Sequence, residues 1–253
     1  DEFSVGIQSF QAIAINPGHA SLWSNRGSAL LQLKRHADAL ASYERALTIN
    51  PHHADALHNR GLTLHNLQRT SEALASYDRA LAIRPDYPEA LNHRGIALCK
   101  LDRRPEAVVS FRRALRLQPE AADVHGNLGV ALLELREPAA AETHLRKALD
   151  GGIRTAEVFQ SLALLLYQRG DFSAATEIYR QWHAYDPDNP IARHMAAAGG
   201  TATPQRADDR YVAEIFDNFA ASFETTLLGL GYRVPELLTA QINAELGTDI
   251  VAL

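Results

Sequence analysis

The chain has 253 residues, of which 46% are apolar and 7% aromatic, and its formal net charge is −5. This length allows one large domain or two smaller ones, with enough apolar residues to form a core. The basic residues are scattered, which argues against a nucleic-acid-binding face, and no apolar run is long enough to cross a membrane.

The single cysteine indicates the cellular compartment of the protein, and the first residues indicate where its natural N-terminus lies. Cys99 is the only cysteine, which excludes an internal disulfide and predicts a reducing compartment, the cytoplasm. The sequence begins Asp1-Glu2-Phe3 without an initiator methionine, so we expect the natural N-terminus to lie upstream. Residues 1–19, ending in Ile15-Asn16-Pro17, have the pattern of a second helix from an incomplete repeat.

Five columns of residues recur every 34 positions between residues 20 and 189. A small-residue column contains Gly27, Gly61, Gly95, Gly129 and Ala163. Two alanine columns contain Ala39, Ala73, Ala107, Ala141 and Ala175, and Ala46, Ala80, Ala114 and Ala148. A bulky column contains Tyr43, Tyr77, Phe111, Leu145 and Tyr179, and a closing column contains Pro51, Pro85, Pro119 and Pro187. This register predicts a repeat architecture.

Each repeat contains two runs of apolar residues at helical spacing. The small residues are expected where the two helices approach closely, and the bulky residues are expected to fill the space between neighbouring pairs. The proline ends the second helix and turns the chain into the next repeat. One pair cannot bury its own apolar face, so stacking of the pairs is predicted to provide the stability.

The five columns resemble the tetratricopeptide repeat, and the stretch from Leu22 to Pro51 follows its pattern almost throughout. The resemblance implies an all-α fold, a right-handed superhelical solenoid of antiparallel helix pairs. The implied full repeats are residues 20–53, 54–87, 88–121, 122–155 and 156–189.

Two repeats depart from the pattern. Gly151-Gly152-Ile153 replaces the usual end of a second helix, and since glycine destabilises a helix by about 1 kcal/mol relative to alanine, this helix should end early. Trp182 occupies a position that is alanine in the other repeats. A normal sixth repeat would clash with it, so Trp182 is predicted to cover the end of the stack.

The first helix of each pair is expected to line a concave groove that binds a partner. The position two before the small-residue column contains Asn25, Asn59, His93, Asn127 and Ser161. An asparagine amide offers donors and an acceptor that can hold a peptide backbone, and these three asparagines resemble the ladder in the repeats of O-linked N-acetylglucosamine transferases. An alternative is that the asparagines only bond adjacent helices or water.

Other inner positions leave further alternatives open. The residues before the asparagine column are Ser24, His58, Asn92, Gly126 and Gln160, so the lysine clamp of some chaperone-binding repeats is not apparent. An apolar stripe contains Ser28, Leu62, Ile96, Val130 and Leu164, and it either contacts a partner or packs between pairs. His58, His65 and His93 would make groove binding weakly pH-dependent.

No metal site and no catalytic group are predicted in the repeats. The histidines form no HxxxH pair and no cluster with Cys99 in the sequence, whereas metal ligands must converge on one point. Glu134 and Glu137, or Asp102 and Glu106, are interpreted as solvated charges of helices and turns rather than as catalytic pairs.

The end of the chain has a different character. Residues 190–206 are predicted to form a capping helix and a linker. In residues 207–253, Tyr211, Phe216, Phe219 and Phe223 fall on one face of a predicted helix that begins near Asp208-Asp209. A second helix and a short buried strand, residues 249–253, are predicted to follow.

The predicted order of two helices followed by a strand resembles the start of a class I methyltransferase domain. The stretch "IFDNFAASFE" is similar to the helix before the cofactor site in small-molecule methyltransferases. The resemblance implies a longer parent protein that binds S-adenosylmethionine, with Tyr211, Phe216, Phe219 and Phe223 near the cofactor, whereas this chain ends before the glycine-rich loop. A helical cap of the solenoid is the alternative interpretation.

The sequence therefore predicts a scaffold that binds a protein or peptide in its concave groove, with no cofactor in this chain. We expect it to recruit substrate for an S-adenosylmethionine-dependent methyltransferase, which the chain alone would not be. The alternative is a non-enzymatic assembly or chaperone adaptor. An exposed aromatic face in residues 211–223 would favour self-association.

Overall fold

The computed structural model describes residues 12–198, which are helical and contain no β-strand. A short helical segment at residues 12–15 comes first. Ten helices then follow in chain order, a first and a second helix for each repeat: α1 (Ala20–Gln32) and α2 (His36–Ile49), α3 (Ala54–Asn66) and α4 (Thr70–Ile83), α5 (Pro88–Lys100) and α6 (Arg104–Leu117), α7 (Ala122–Glu134) and α8 (Pro138–Asp150), α9 (Ala156–Gln168) and α10 (Phe172–Tyr185). Helix α11 (Pro190–Ala198) follows. Across residues 12–198, no helix combines the length and apolar character needed to cross a membrane.

The chain divides into two compact units after Ile178. In the first unit, the two helices of each pair from α1 to α8 make the most extensive contacts, and each second helix packs on the first helix of the next pair. The first helices α1, α3, α5, α7 and α9 also contact one another in order, whereas the second helices α2, α4, α6 and α8 do not. The first helices therefore lie on the inner side of the curve. The predicted all-α solenoid is confirmed.

The glycine column lies where the helices of one pair approach most closely. A Cβ atom on Gly61 would lie 2.5 Å from the ring of Tyr77, and one on Gly95 would lie 2.4 Å from the ring of Phe111. Both distances are far shorter than a van der Waals contact, so only glycine fits. The bulky ring therefore lies within its own pair, where the sequence predicted it between pairs.

The bulky ring also contributes to stacking. Tyr43 is fully buried in a cluster that includes Ala46 of its own helix and Ala56 of the next pair. A second cluster continues from Leu74 through Phe111 to Leu165. The apolar contacts thus extend from pair to pair, which is how a solenoid without a central core gains stability.

Two kinds of turn connect the helices. At the end of α3, Gln68 has a φ of 60°, and the N–H groups of Gln68 and Arg69 donate to the carbonyls of His65 and Leu64. This is a Schellman motif, and its left-handed position is taken in the other pairs by Lys34, Asp102, Arg136 and Gly170. The second helices α2, α4 and α6 end instead at an extended residue before proline, as at Asn50, because the residue before proline is pushed out of the helical region.

Helix α8 ends one residue earlier than its counterparts, as the glycine pair predicts. Gly152 has a φ of 90°, and the N–H groups of Gly152 and Ile153 donate to Leu149 and Ala148. A Cβ atom on Gly151 would lie 2.4 Å from Cβ of Ala122. Gly152 therefore adopts the left-handed conformation of the turn, and Gly151 allows close packing against Ala122.

In the second compact unit, Trp182 is only 2% exposed and stacks on Tyr179 with ring centroids 6.3 Å apart. Helix α11 begins at Pro190, and the side chain of Asn189 caps it by accepting from the N–H of Ala192 at 3.0 Å. The predicted methyltransferase-like segment 207–253, with Tyr211, Phe216, Phe219 and Phe223, lies outside the described residues.

Candidate functional site

The asparagine column lies on the inner helices, but its members differ in their contacts. Asn25 is exposed, whereas Asn59, Asn127 and Ser161 are partly buried. Asn59 Nδ2 donates to Ser28 Oγ at 3.4 Å, and Asn127 Nδ2 donates to Asn92 Oδ1 at 2.9 Å. Both contacts join neighbouring inner helices. Since an amide group has two N–H donors and one carbonyl acceptor, the Asn127 contact leaves a donor and the acceptor for a ligand.

The Asn92 amide continues this chain of hydrogen bonds. Its Nδ2 donates to Asp123 Oδ2 at 2.9 Å, while its Oδ1 accepts from Asn127. Asn92 is buried, so its orientation is determined by both partners. The result is a rigid polar link between α5 and α7 that positions Asn127 on the inner side.

His58 is buried and belongs to a hydrogen-bonded network rather than to the exposed inner surface. Tyr87 Oη donates to Asp55 Oδ1 at 3.1 Å, and His58 Nδ1 donates to Tyr87 Oη at 3.2 Å. His58 Nε2 then accepts from Nδ1 of His93 at 3.1 Å, and the same N–H of His93 is 2.8 Å from the carbonyl of Glu89. The network is complete with both imidazoles neutral.

Burial is the main cause that keeps the histidines of this network neutral. Burial and the neighbouring His93 lower the pKa of His58 to about 4, and burial lowers the pKa of His93. Burial would raise the pKa of Asp55, but hydrogen bonds and charge attraction with Arg84 outweigh it and lower the pKa. The sequence predicts weakly pH-dependent groove binding through His58, His65 and His93. Near neutral pH, this prediction does not apply to His58, because its imidazole stays neutral.

One cavity opens along the inner helices, and a second lies at the C-terminal ends of α1, α3 and α5 and the turns beside them. The apolar cavity, of about 280 Å³, is lined by Ile96, Cys99, Phe111, Val130 and Ala131 together with the polar residues Lys100, Arg104, Asn127, Glu134 and Glu157. The basic cavity, of about 530 Å³, is lined by Leu31, Gln32, Lys34, His36, His65, Asn66, Gln68 and Lys100. Lys100 lines both cavities, so they are adjacent. Ile96 and Val130 of the predicted apolar stripe thus face open space on the inner side.

The described residues contain no group of three His, Cys, Asp or Glu side chains that could hold a metal ion. Burial raises the pKa of the Cys99 thiol to about 11, with Glu134 adding to the effect, so Cys99 is a protonated and poor nucleophile. Glu134 pairs with Arg104, and Glu106 pairs with Arg103, which agrees with their interpretation as helix and turn charges.

Sequence reasoning missed one repeated interaction inside the pairs. Arg26, Arg60 and Arg94 on first helices donate to Ser42, Ser76 and Ser110 on second helices at 2.9, 2.6 and 2.6 Å. Each serine in turn donates to the carbonyl four residues earlier. The 34-residue spacing of both columns could have revealed it. In the fourth pair the same positions hold Leu128 and His144, and His144 bonds His125 at 2.7 Å instead.

The basic cavity was also missed, because its lysines do not occupy the position before the asparagine column. Lys34 comes from a turn and Lys100 from the last residue of a helix two pairs away along the chain. Only stacking of the inner helices brings them to one cavity.

The comparisons with known proteins agree with this geometry. Tetratricopeptide repeat models match residues 18–86, 93–154 and 158–191. No curated protein matches the sequence.

Several solved structures share the fold. PilF of Pseudomonas aeruginosa has 24% identity and a TM-score of 0.64, covering 89% of this chain and 97% of its own. YrrB, a tetratricopeptide repeat protein with an unusual peptide-binding site, has 20% identity and a TM-score of 0.62, covering 74% and 97%. A thermophilic tetratricopeptide repeat protein of Thermus thermophilus has 25% identity and a TM-score of 0.55, covering 71% and 98%. With three matched segments along the solenoid and these neighbours, the chain belongs to the tetratricopeptide repeat family.

Proposed function

We propose that the protein is a scaffold that binds an extended peptide segment of a partner along its inner helices. The observation that carries this proposal is the position of Asn127. Its amide donates a hydrogen bond to Asn92 on the inner side, and its side chain lines the apolar cavity. A peptide backbone bonded to this amide would have a side chain beside that cavity. Asn25 and Asn59 occupy the equivalent positions in the first two repeats.

The volume of the apolar cavity supports binding of a peptide side chain rather than of a whole small ligand. Sites for whole small ligands usually have volumes of roughly 300–1,000 Å³, and the apolar cavity of about 280 Å³ lies at the lower limit. It suits one large side chain. The similar fold of YrrB, which has a peptide-binding site, is compatible with this use of the inner helices.

The test begins with 12-residue random peptides displayed on phage and selected on the purified chain. Selected peptides are then titrated by fluorescence polarisation against the wild type and the Asn25→Ala/Asn59→Ala/Asn127→Ala variant. We expect the variant to remain helical by circular dichroism and to bind about tenfold or more weakly. Gln118→Ala, an exposed amide that ends a second helix, is the control and should bind normally.

The outcomes separate two parts of the proposal. Unchanged affinity in the folded triple variant would remove the asparagine ladder from the binding surface. Failure to select any peptide would contradict peptide binding itself.

The resemblance of residues 207–253 to methyltransferases supports a second proposal, that the scaffold recruits substrate for an S-adenosylmethionine-dependent enzyme in the cytoplasm. Isothermal titration with S-adenosylmethionine tests it on residues 1–253 and on the complete product of the parent gene. We expect binding only by the complete product. Tight binding by residues 1–253 would place the cofactor site elsewhere, and no binding by either would favour the adaptor function.

A further inference from the structure

We propose, resting on the function above, that the inner surface selects acidic peptides that carry a large apolar residue. The basic cavity receives the carboxylate of an Asp or Glu side chain, and the neighbouring apolar cavity receives the apolar side chain. Lys100, which lines both cavities, contacts the peptide between the two side chains.

The charge of the basic cavity carries the first part of the argument. Two lysines and two histidines line it together with three amides and one leucine, and no acidic residue does. Lys34 and Lys100 form no ion pair with any residue in the range 12–198, unlike most arginines of the repeats, which pair with nearby carboxylates. An uncompensated cationic concavity attracts an anionic partner and repels a cationic one.

His36 supplies a second observation at the same place. Its Nδ1 atom is buried and has no hydrogen-bond partner among the described residues, and its side chain lines the basic cavity. Buried polar atoms in folded proteins nearly always have a partner. A carboxylate in the cavity would accept from the two ammonium groups, and it would reach this nitrogen only after rotation of the imidazole ring.

The neighbouring histidine is also in an environment that lacks negative charge. Burial lowers the pKa of His65, and Lys100 and His93 lower it further. A bound carboxylate would act in the opposite direction and raise the pKa of His65.

The apolar cavity determines the second side chain. Arg104 and Glu134 neutralise one another in an ion pair, and the other two charged lining residues, Lys100 and Glu157, have opposite signs. Selection at this cavity therefore follows its apolar lining residues. Burying an apolar side chain of leucine size against them is favourable.

The probes are fluorescein-labelled, N-acetylated and C-amidated peptides in a Gly/Ser host. Each contains one Glu and one Leu, in both orders, separated by one to four residues. Matched sets replace Glu with Gln or Lys, and a further set replaces Leu with Ser. Fluorescence polarisation with the whole chain at low salt should show a Glu/Leu peptide binding about tenfold tighter than its Gln and Ser counterparts, with Lys weakest.

Lys34→Gln and Lys100→Gln are suitable variants because other repeats already have glutamine there, Gln68 at the turn position and Gln32 and Gln168 at the helix end. Each variant should abolish most of the preference for Glu over Gln. Lys147→Gln, on the exposed part of α8 and in neither cavity, makes the same change of net charge and should leave the preference unchanged.

Several results would overturn the inference. Suppose that the Glu and Gln peptides bind equally and that binding still depends on Asn25, Asn59 and Asn127. Acidic selection would then be rejected, and the peptide-binding function would stand. The same conclusion follows if phage-selected peptides bind but none of the Glu/Leu peptides does. If Lys147→Gln weakens the preference as much as Lys100→Gln does, only net charge matters. Absence of binding by every peptide, including those from the phage library, would reject both proposals.

Discussion

The hydroxyl groups of Tyr43 and Ser28 lie 3.1 Å apart, so the buried ring of Tyr43 has a hydrogen-bond partner on the other helix of its pair. In the next repeat Leu62 replaces Ser28, and the hydroxyl of Tyr77 is buried without a partner among the described residues. Burial raises the pKa of both phenols, that of Tyr43 to about 12. Tyr43 and Tyr77 thus occupy equivalent positions of the repeat, but only the hydroxyl of Tyr43 has a hydrogen-bond partner among the described residues.

The two tyrosines provide a matched pair of substitutions. Tyr43→Phe should lower the free energy of unfolding by about 1 kcal/mol, because it removes a hydrogen bond and leaves Ser28 without that partner. Tyr77→Phe should be neutral or stabilising by up to about 1 kcal/mol, because it removes a buried unsatisfied group. Urea midpoints measure both. Equal destabilisation by the two variants would show that the Tyr77 hydroxyl is satisfied.

Gly61 is predicted to be required by packing against Tyr77. Gly61→Ala should destabilise the protein by up to about 2 kcal/mol, because overpacking costs roughly 1–3 kcal/mol and the gain in helix propensity offsets only about 1 kcal/mol of it. Gly126→Ala is the control, since its new Cβ would meet only the end of the Val158 side chain, at 3.2 Å. Thermal midpoints should fall more for Gly61→Ala, and a reversed order would contradict the close approach.

The left-handed turns allow a test of backbone conformation with little change in packing. Gly170 has a φ of 86° and open space around its Cα, so Gly170→Ala should cost about 1 kcal/mol from the left-handed conformation alone. Gln68 has the equivalent position in the second repeat, with a φ of 60°. Gln68→Gly should be neutral or slightly stabilising because it removes this penalty. Chemical denaturation measures both, and a destabilising Gln68→Gly would point to a role for the glutamine side chain.

Stability should fall as the solution is acidified from pH 7 to pH 4. The pKa of His58 is near 6.5 in an unfolded chain and about 4 in the fold. Between these values the unfolded chain binds a proton that the folded chain does not, so the stabilisation is fully present above pH 6.5 and is lost as the pH falls. At about 1.4 kcal/mol per pKa unit, the loss from His58 is at most about 3 kcal/mol.

His58→Gln isolates this contribution. The variant should be less stable at neutral pH but should show a shallower decrease in the unfolding free energy between pH 6.5 and pH 4. Some dependence should remain, because the pKa values of His65, His93 and His144 are also lowered. An unchanged slope in urea denaturation would show that His58 does not carry the effect.

The repeat columns made the helical architecture predictable. Period and helical spacing depend only on local preference and on the need of each pair to bury one face, so Gly61, Ala73, Tyr77 and the closing prolines indicate the fold directly. The early end of α8 was predictable for the same reason, because glycine acts within its own turn. The prediction that the bulky ring lies between pairs was incomplete, because the ring also packs against the glycine of its own pair, and a column does not tell which of two interfaces a side chain enters.

The candidate site was predictable only in part. The asparagine column identified the inner helices, but its hydrogen bonds depend on neighbours from other repeats, such as Asn92 beside Asn127. His58 looked like an inner-surface residue, and only the position of Tyr87 and His93 shows that it is buried.

The sequence by itself determined the class of fold and the 34-residue period of the repeats, because both follow from preferences of residues within one helix pair. The tertiary structure decided which polar groups are free. Stacking places Lys34 and Lys100 at one cavity although 65 residues separate them in the sequence, and it pairs Arg104 with Glu134 at the next cavity. Charge compensation depends on distances across helices, which local sequence patterns do not encode.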